Sequence, residues 1–305
     1  MYDVVIIGAG PAGYTAGIYC SRARHNTLLI SGILPGGQLM NTTDVENYPG
    51  FSDGIMGPDL MTVMRKQTEK MGTKIIDDEV TSVDFKVNPL KVKTASEEFE
   101  AKTVIVCTGA NPRKIGLDGE QTVGGKGVSY CATCDGAFFK DQELIVVGGG
   151  DSAMEEATFL TKFASTVHIV HRREEFRASK IMQERALANE KIKVHFNCTV
   201  KDIQGDQKFR KVILNNTKTN EDETLDAGGL FVAIGHEPNS KMFQNQLELD
   251  ENGYVIIKNN TETSIPGVFC AGDVHDHRYR QAVTAAGFGC MAAIDVDKYL
   301  AESKN

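Results

Sequence analysis

Val4-Val5-Ile6-Ile7 runs directly into Gly8-Ala9-Gly10-Pro11-Ala12-Gly13, and this stretch decides the fold. The β-branched run predicts a buried strand, and the glycine pattern predicts a tight turn that opens a helix reaching about Arg24. In such a unit the first glycine permits the turn, the second lets a pyrophosphate approach the backbone, and the third allows the helix to pack closely on the strand. The helix N-terminus then faces the phosphates. The stretch therefore predicts a dinucleotide site whose binding residues are Gly8, Gly10, Pro11, Ala12 and Gly13.

A second copy of the pattern lies in the middle of the chain. Leu144-Ile145-Val146-Val147 leads into Gly148-Gly149-Gly150-Asp151-Ser152-Ala153 and a helix predicted from Met154 to Phe163. Two fingerprints indicate two nucleotides. The binding residues predicted in the second turn are Gly148, Gly150, Asp151 and Ser152.

The two sites differ where an acid usually holds a ribose 2′-hydroxyl. After the first site, the strand from Thr27 to Ile30 ends in Ser31, which offers one weaker hydrogen bond. After the second, the strand from Thr166 to Val170 runs into His171-Arg172-Arg173-Glu174-Glu175-Phe176-Arg177. Guanidinium groups bind phosphate in a bidentate manner, so Arg172 and Arg173 favour the 2′-phosphate of NADPH over NADH. The alternative is that these arginines pair with the two glutamates on a solvated surface.

Cys131-Ala132-Thr133-Cys134 lies between the two fingerprints. Cysteines at this spacing can cycle between dithiol and disulfide, but the same motif is also half of a tetrahedral zinc site. No second C-x-x-C or suitable histidine pair completes such a site, and the remaining cysteines are isolated, so a redox role is favoured. His275-Asp276-His277 invites a metal interpretation, but three adjacent residues cannot fill a closed site, and no metal is expected.

The first nucleotide is expected to be a flavin, because a flavin usually carries electrons from NADPH to a disulfide. Two strand ends support FAD at the first site. The strand from Thr103 to Val106 ends in Cys107-Thr108-Gly109, and the strand from Gly267 to Cys270 ends in Ala271-Gly272-Asp273. Both predict backbone that closes over a cofactor, with Asp273 bonding the ribityl chain or lying near a phosphate. The FAD contacts predicted here are Thr108, Gly109, Gly272 and Asp273, in addition to Ser31.

Composition limits the remaining possibilities. The chain has 305 residues, of which 41% are hydrophobic, enough for two domains. A net charge of -8 repels phosphate backbones, so general nucleic-acid binding is not expected. The sequence shows neither a signal-peptide pattern nor an apolar run of membrane-spanning length, and its odd cysteine count does not fit a secreted disulfide framework. We therefore expect a cytoplasmic protein in a reducing compartment, with no membrane partner.

An ordered series of motifs extends these patterns over essentially the whole chain. They are G-A-G-P-A-G at 8–13, P-G-G-Q at 35–38, E-N-Y-P-G at 46–50, C-A-T-C-D-G at 131–136, G-G-G-D-S-A at 148–153, H-R-R-x-x-x-R at 171–177, A-G-D-V at 271–274 and Y-R-Q-A at 279–282. The series resembles the low-molecular-weight (prokaryote-type) thioredoxin reductases. The resemblance implies an α/β fold of two Rossmann-like, three-layer domains of the pyridine nucleotide-disulfide oxidoreductase class, the second inserted in the first. It also implies a homodimer that uses FAD and NADPH to reduce thioredoxin.

The domain assignment follows from the second fingerprint, which interrupts a fold whose Gly-Asp strand returns only near residue 270. We assign residues 1–113 and 242–305 to the FAD-binding domain and residues 114–241 to the NADPH-binding domain, which carries Cys131 and Cys134. Asn111-Pro112 and Glu237-Pro238-Asn239 are the predicted linkers. Period-two segments from Val80 to Thr94 predict a small β-meander. The inserted domain is expected to end in a strand from Leu230 to Ile234, followed by Gly235.

The resemblance further implies a mechanism in which the inserted domain rotates about its linkers between two half-reactions. Cys134 would interact with the flavin, Cys131 would attack the thioredoxin disulfide, and Asp135 would act as general acid. The alternative for Asp135 is a simple turn with Gly136. The remaining FAD contacts implied are Gly36, Gly37, Gln38, Asn47, Arg280, Gln281 and Ala282. The remaining NADPH contacts are His171, placed beside the adenosine phosphate, with Arg172, Arg173, Arg177, Ile234 and Gly235.

Three other functions compete with this one. A reductase of peroxiredoxins shares the core but carries an extra N-terminal thioredoxin-like portion, whereas this chain begins at the FAD fingerprint. Ferredoxin or flavodoxin reductases do not need the C-x-x-C pair. A redox-sensing module that binds FAD and NADP without turnover is the non-enzymatic alternative.

Overall fold

The computed structural model describes residues 1–33 and 35–303, and the chain divides into two compact units. The discontinuous unit comprises Met1–Asn111 and Glu237–Asn305, and the inserted unit comprises Pro112–His236. The boundaries predicted from sequence lie two and five residues further along the chain. The difference arises because each crossing falls inside a short strand rather than after it.

The elements of the first segment are β1 (Tyr2–Ile7), α1 (Pro11–Arg22), β2 (Thr27–Ile30), β3 (Asp44–Val45), β4 (Ile55–Met56), α2 (Gly57–Lys70), β5 (Lys74–Ile76), β6 (Val80–Asp84), β7 (Leu90–Thr94), β8 (Glu98–Val106) and β9 (Ala110–Pro112). Those of the inserted segment are α3 (Asp118–Thr122), β10 (Val128–Ser129), α4 (Ala132–Asp135), β11 (Glu143–Val147), α5 (Asp151–Leu160), β12 (Thr166–His171), α6 (Lys180–Leu187), β13 (Ile192–Phe196), β14 (Cys198–Gly205), β15 (Phe209–Asn216), β16 (Asp222–Asp226), β17 (Gly229–Val232) and β18 (His236–Pro238). The returning segment holds β19 (Val268–Cys270) and α7 (Ala282–Glu302). Short 3₁₀ helices span Gly37–Asn41, Gly136–Phe139 and Lys241–Phe243.

The discontinuous unit is built on a mixed sheet with the order β5-β2-β1-β8-β7-β6, with β19 also paired to β8. Strands β5, β2, β1, β8 and β19 are parallel, so their carboxyl ends meet at one edge. Alternate residues of β1 enter two cores, since Val4 and Ile6 pack on the side of α1 and α7 while Val5 and Ile7 face the other side. Ligands of open α/β sheets bind at the carboxyl edge, where the glycine turn after β1 lies.

The inserted unit repeats this plan with a parallel sheet in the order β10-β17-β11-β12-β13. Its central strand β11 is fully buried at Leu144, Ile145 and Val146, which explains its continuous apolar sequence. An antiparallel sheet in the order β14-β15-β16 completes the unit. The fold class predicted from sequence is therefore present in both units.

Several predicted element bounds are wrong by a few residues. Helix α1 ends at Arg22, because Arg24 adopts a left-handed conformation with φ of 65°. Helix α5 begins at Asp151 rather than Met154, because the carbonyl of Gly150 already accepts the N–H groups of residues 153 and 154. Strand β8 begins at Glu98, five residues before the predicted start, because this end pairs with β7 in the predicted meander.

The two linkers, β9 and β18, pair with each other as a two-stranded sheet. On one side, the Arg113 N–H donates to the Gly235 carbonyl at 2.9 Å. On the other, the Asn239 N–H donates to the Gly109 carbonyl at 2.9 Å. The two segments that connect the units are therefore hydrogen-bonded to each other as neighbouring strands.

Candidate functional site

The first glycine turn combines two packed glycines with one open glycine. A Cβ at Gly8, where φ is +107°, would lie 2.3 Å from the carbonyl oxygen of Cys107. A Cβ at Gly13 would lie 1.9 Å from the carbonyl oxygen of Gly8. A Cβ at Gly10, in contrast, meets no described atom within 4 Å, and no side chain caps α1 there. The turn thus keeps space at the helix N-terminus, which is where a pyrophosphate binds.

Polar side chains gather beside this turn. The Gly36 N–H donates to the Ala9 carbonyl at 3.0 Å, which ties the segment containing Gln38 to the turn. Gln38 Nε2 donates to Asn111 Oδ1 at 2.7 Å, and Asn111 Nδ2 donates to Asn239 Oδ1 at 3.0 Å. Sequence reasoning treated the two asparagines only as linker residues. Their one local signal is that each stands next to a proline, which does not reveal that they meet.

Thr108 and Gly109 lie at the end of β8, as predicted. Thr108 Oγ1 donates to the Asn239 carbonyl at 2.7 Å, and Asn239 Nδ2 donates back to the Thr108 carbonyl at 2.9 Å. Gly109 is left-handed with φ of +71°, and a Cβ there meets no described atom within 4 Å. This strand end therefore presents open backbone beside a fixed polar pair.

Asp273 is half-buried, and one of its carboxylate oxygens has no partner among the described residues. It follows Gly272, whose left-handed backbone (φ +82°) lies against Ala12 in the first turn of α1. Oδ1 of Asp273 is buried and accepts no hydrogen bond from any described residue. Burial raises the pKa of Asp273 from 3.8 to about 7, the Asp276 carboxylate adds to the rise, and Arg280 opposes it. Because a buried acceptor without a donor is costly, this atom marks a place for a hydroxyl-bearing ligand.

Asp276 organises the loop before α7. Its Oδ1 accepts the N–H groups of Arg278 at 3.0 Å and Tyr279 at 2.9 Å, and its Oδ2 accepts that of Arg280 at 3.3 Å. Arg280 is left-handed, with φ of 49°. Sequence reasoning weighed Asp276 only as a metal ligand and missed this role. Among the described residues, no group of three or more His, Cys, Asp or Glu side chains is arranged to hold a metal ion.

Helix α7 begins at Ala282 with a reciprocal cap between Gln281 and Thr284. Asn47 Nδ2 reaches Oε1 of Gln281 at 3.5 Å, which brings together two residues 234 positions apart in the sequence. A Cβ at Gly289 would lie 2.1 Å from the carbonyl oxygen of Ala12, so α7 packs closely against the start of α1. Helices α1 and α7, whose N-termini the sequence associates with FAD, therefore pack against each other. FAD fits this unit, because the open turn and the unpartnered acceptor match its phosphates and hydroxyls.

Ser31 lies at the end of β2 and is buried. Its Oγ is 2.8 Å from the Gly32 carbonyl and 2.7 Å from Oδ1 of Asp77. The hydroxyl predicted to replace an acid is therefore joined to an acid from elsewhere in the sequence.

The second glycine turn, like the first, combines closely packed glycines with one open glycine. A Cβ at Gly148 would lie 2.4 Å from the Ala233 carbonyl oxygen, whereas a Cβ at Gly150 meets no described atom within 4 Å. A Cβ at Gly149 would overlap the ring of His171, at 2.2 Å from Nδ1. His171 is buried, and this burial lowers its pKa, so the ring remains neutral at pH 7. Its place against Gly149 makes it part of the packing beneath the turn.

The arginine segment folds back onto this turn. The N–H of Arg177 donates to the Gly149 carbonyl at 2.7 Å. Arg172 and Arg173 are exposed, and neither forms an ion pair within the described ranges. Glu174 pairs instead with Lys218, and no ion pair joins Glu174 or Glu175 to the arginines among the described residues, so the predicted alternative is not observed. These free cations and the open glycine fit the phosphate groups of NADPH.

Other predicted NADPH residues border the turn or the end of β17. Oδ1 of Asp151 accepts the Ser179 N–H at 2.7 Å, which joins α5 to the segment after the arginines. Ser152 is half-buried in the first turn of α5. Ile234 and Gly235 follow β17, where Gly235 is left-handed with φ of +102°.

Cys131 and Cys134 form a disulfide at the start of α4. Both are partly exposed, while Ala132 between them is buried and anchors the helix in the core of the inserted unit. The N–H of Cys134 donates to Cys131 Sγ at 3.2 Å. The pair is thus held by the fold and accessible, as thiol-disulfide exchange requires.

A hydrogen-bonded carboxyl lies directly after this pair. Asp135 Oδ2 is 2.5 Å from Ser129 Oγ, which also accepts the Cys131 N–H at 3.1 Å. Burial raises the pKa of Asp135, and the hydrogen bond from Ser129 opposes the rise. A carboxyl with a raised pKa keeps its proton to a higher pH than an ordinary carboxyl does, which suits it to donate that proton.

Within residues 1–33 and 35–303, none of the helices combines the length and apolar character needed to cross a bilayer.

Two nucleotide folds and an accessible disulfide within one chain define a nucleotide-dependent disulfide reductase. A model of the pyridine nucleotide-disulphide oxidoreductase family matches residues 2–289, and the chain belongs to this family.

Among its relatives are thioredoxin reductases. The enzyme of Streptomyces clavuligerus is 55% identical over 303 residues, which cover 98% of this chain and 94% of the relative. The solved thioredoxin reductase of Streptococcus pyogenes MGAS5005 is 44% identical, has a TM-score of 0.94 and aligns over 99% of both chains. A bifunctional thioredoxin reductase/thioredoxin of Mycobacterium leprae is 50% identical over 99% of this chain and 66% of its own length. These matches confirm the predicted family, its fold and its dependence on FAD and NADPH.

Proposed function

We propose that this chain reduces the disulfide of a thioredoxin at the expense of NADPH, with FAD as the electron relay. The observation that carries the proposal is the partly exposed Cys131–Cys134 disulfide, located on the unit that holds the second nucleotide fingerprint. The thioredoxin fused to the relative from Mycobacterium leprae supports the choice of partner. When bound, FAD accepts a hydride from the nicotinamide and supplies two electrons to a disulfide.

The discontinuous unit, with the Gly10 turn and Asp273, is proposed to bind FAD. The inserted unit, with the Gly150 turn and the arginine segment, is proposed to bind NADPH. The other residues predicted to contact FAD are proposed to bind it as well, because Gln38, Thr108 and Gln281 are held in polar networks within the first unit.

The cysteines are proposed to have separate roles. After the disulfide has taken up two electrons, the Cys131 thiolate attacks the partner disulfide and forms a mixed disulfide. Cys134 then attacks Cys131 Sγ, which releases the reduced partner and restores the internal disulfide. The Cys134 N–H, 3.2 Å from Cys131 Sγ, favours negative charge on Cys131 and supports this order. Asp135 is proposed to supply the proton to the sulfur that leaves.

We also propose rotation of the inserted unit, a homodimer and a cytoplasmic location. The paired linkers β9 and β18 are the only two chain crossings between the described parts of the units, which suits them to act as a hinge. Val283, Met291 and Ile294 on α7 are each about 40% exposed, at 43%, 37% and 43%, and supply an apolar surface for a second copy. Four cysteines outside the disulfide are buried, and Cys290 is partly exposed, which suits a reducing compartment.

The deciding experiment is NADPH oxidation by the purified flavin-loaded protein in the presence of oxidised thioredoxin. Turnover is expected with the unaltered chain. Cys134→Ser should retain FAD and its reduction by NADPH but lose thioredoxin reduction. Cys290→Ser, which alters a partly exposed cysteine outside the pair, should behave like the unaltered chain. Continued turnover in Cys134→Ser would disprove the electron route, and absence of turnover with every thioredoxin would favour the sensing alternative.

A further inference from the structure

Ser31 ends β2 at the position where an acid usually holds an adenosine ribose. Its Oγ lies 2.7 Å from Oδ1 of Asp77, which follows the neighbouring strand β5. The backbone segments that follow β2 and β5 remain hydrogen-bonded to each other beyond the ends of the two strands. The Ser31 N–H donates to the Ile76 carbonyl at 3.0 Å, and the Gly32 N–H donates to the Asp78 carbonyl at 3.1 Å. A carboxylate from the next strand is therefore fixed at the edge where β2 provides none.

Arg65 of α2 holds this carboxylate from the other side. Nη1 donates to Asp77 Oδ1 at 2.7 Å, and Nη2 donates to Oδ2 at 3.0 Å. A carboxylate offers about four acceptor positions. Ser31 and Arg65 occupy three of them, so one position on Oδ2 remains. The bidentate pair with Arg65 also lowers the pKa of Asp77, so the group stays an ionised acceptor.

The remaining acceptor position is reachable by a ligand. The Asp77 side chain is 51% exposed, although its partner Ser31 is buried. Gly32 is left-handed with φ of +79°, and a Cβ there meets no described atom within 4 Å. Gly32 follows β2, which pairs with both β1 and β5, so this open backbone lies between the strand that leads into the glycine turn and the strand that precedes Asp77.

We propose that Asp77, oriented by Ser31 and Arg65, accepts a hydrogen bond from the 2′-hydroxyl of the adenosine ribose of FAD. The carboxylate would take the part that an acid at the end of β2 usually has, although it reaches the site from a different strand. The inference rests on the proposed FAD-dependent function and deepens it, since it assigns the ribose contact that the Ser31 position left open.

The test compares FAD with an analogue whose adenosine 2′-hydroxyl is replaced by hydrogen. Both are titrated into the full-length chain after its flavin has been removed, and binding is followed by flavin fluorescence. The unaltered chain is expected to bind FAD at least about 10-fold more tightly than the analogue, the effect of one hydrogen bond to a charged group. Asp77→Ala should bind the two flavins with equal affinity.

Two further variants separate the carboxylate from its surroundings. Arg65→Ala removes one of the two groups that orient the carboxylate but leaves the carboxylate and its hydrogen bond from Ser31, so it should reduce the preference for FAD less than Asp77→Ala does. Asp78→Asn alters the adjacent half-buried carboxylate, which bonds to Ser96, and should leave the preference unchanged. Thermal unfolding of each flavin-free variant checks its fold. A preference that survives in Asp77→Ala, or is missing in the unaltered chain, overturns the inference. Failure of the unaltered chain to bind FAD at all would instead overturn the proposed function together with it.

Discussion

The hydroxyl of Ser129 lies 2.5 Å from the carboxyl oxygen Oδ2 of Asp135. The same hydroxyl accepts the N–H of Cys131 at 3.1 Å, so it connects the first cysteine of the disulfide to the carboxyl that follows the second. Burial raises the pKa of Asp135 despite this hydrogen bond. The inserted unit therefore keeps a proton-holding group in a fixed relation to its redox pair.

Asp135→Asn should slow thioredoxin reduction by about 10-fold or more, because the variant cannot release a proton. It should also change the pH dependence of stability. An acid whose pKa is higher in the folded state binds more protons there, so the free energy of unfolding falls as pH rises from 3.8 through the raised value. The variant should thus be more stable than the unaltered chain at pH 7 and equally stable at pH 3, as measured by urea unfolding. Asp206→Asn, at a side chain 85% exposed, is the control, and equal pH profiles for all three proteins would contradict the argument.

The sequence predicted the glycine turn and the redox pair because short-range backbone geometry determines both. The Gly8 to Gly13 turn and the C-x-x-C pair are contiguous, and their geometry follows from backbone sterics and ring size. Contacts across the sheet could not be predicted in this way. Asp77 lies 46 residues from Ser31 in the sequence, and Asn239 lies 131 from Thr108. No short-range pattern connects such residues, because strand order alone brings them together.

Some predicted helix bounds were wrong for a similar reason, and the predicted domain boundaries differ by a few residues from the division into compact units. The sequence cannot show that the Gly150 carbonyl already accepts helical hydrogen bonds, or that β9 and β18 pair across the chain crossings. The role of Asp276 was missed because its partners are backbone N–H groups, which are present in every residue and leave no sequence signal.

Gly10→Ala and Gly13→Ala should separate cofactor binding from folding. The Cβ at Gly10 enters open space, and the residue has a negative φ of -83°, so the flavin-free chain should keep its stability. FAD affinity should fall by about 10-fold or more, because the methyl group occupies the approach to the helix N-terminus. Gly13→Ala should destabilise the chain by at least about 1 to 3 kcal/mol, since its Cβ would lie 1.9 Å from the Gly8 carbonyl oxygen.

Flavin fluorescence titration and urea unfolding of the flavin-free proteins measure the two effects. Unchanged FAD affinity in a well-folded Gly10→Ala protein would show that the pyrophosphate does not approach this turn.

Replacing both Arg172 and Arg173 by alanine should raise the KM for NADPH by about 10-fold or more and that for NADH by less than about 2-fold. The reason is that the two guanidinium groups are free of ion pairs in the described chain. The hydrogen bond from the Arg177 N–H to the Gly149 carbonyl also holds their segment beside the second turn. Steady-state kinetics with each nucleotide measure the effect. Arg210→Ala removes an exposed arginine of the same unit and should change neither KM. An equal loss with both nucleotides would remove the argument for a 2′-phosphate site.

Asp273 gives the flavin-free chain a distinct pH dependence. Burial raises its pKa from 3.8 to about 7, so the folded state binds more protons than the unfolded state between these values. The free energy of unfolding should therefore fall as pH rises from about 4 to about 7, and Asp273→Asn should be at least about 1 kcal/mol more stable than the unaltered chain at pH 8.

Binding of FAD should reverse this penalty, because a hydroxyl that donates to Oδ1 stabilises the ionised carboxylate. FAD affinity of the unaltered chain is then expected to rise as pH increases through about 7, whereas that of Asp273→Asn should be weaker and independent of pH in this range. Titrations at pH 6, 7 and 8 measure both effects, with Asp53→Asn as an exposed control. A fall in FAD affinity of the unaltered chain with rising pH would mean that Asp273 binds the flavin in its protonated form. The ionised Oδ1 of Asp273 would then not be the atom that accepts a hydrogen bond from FAD.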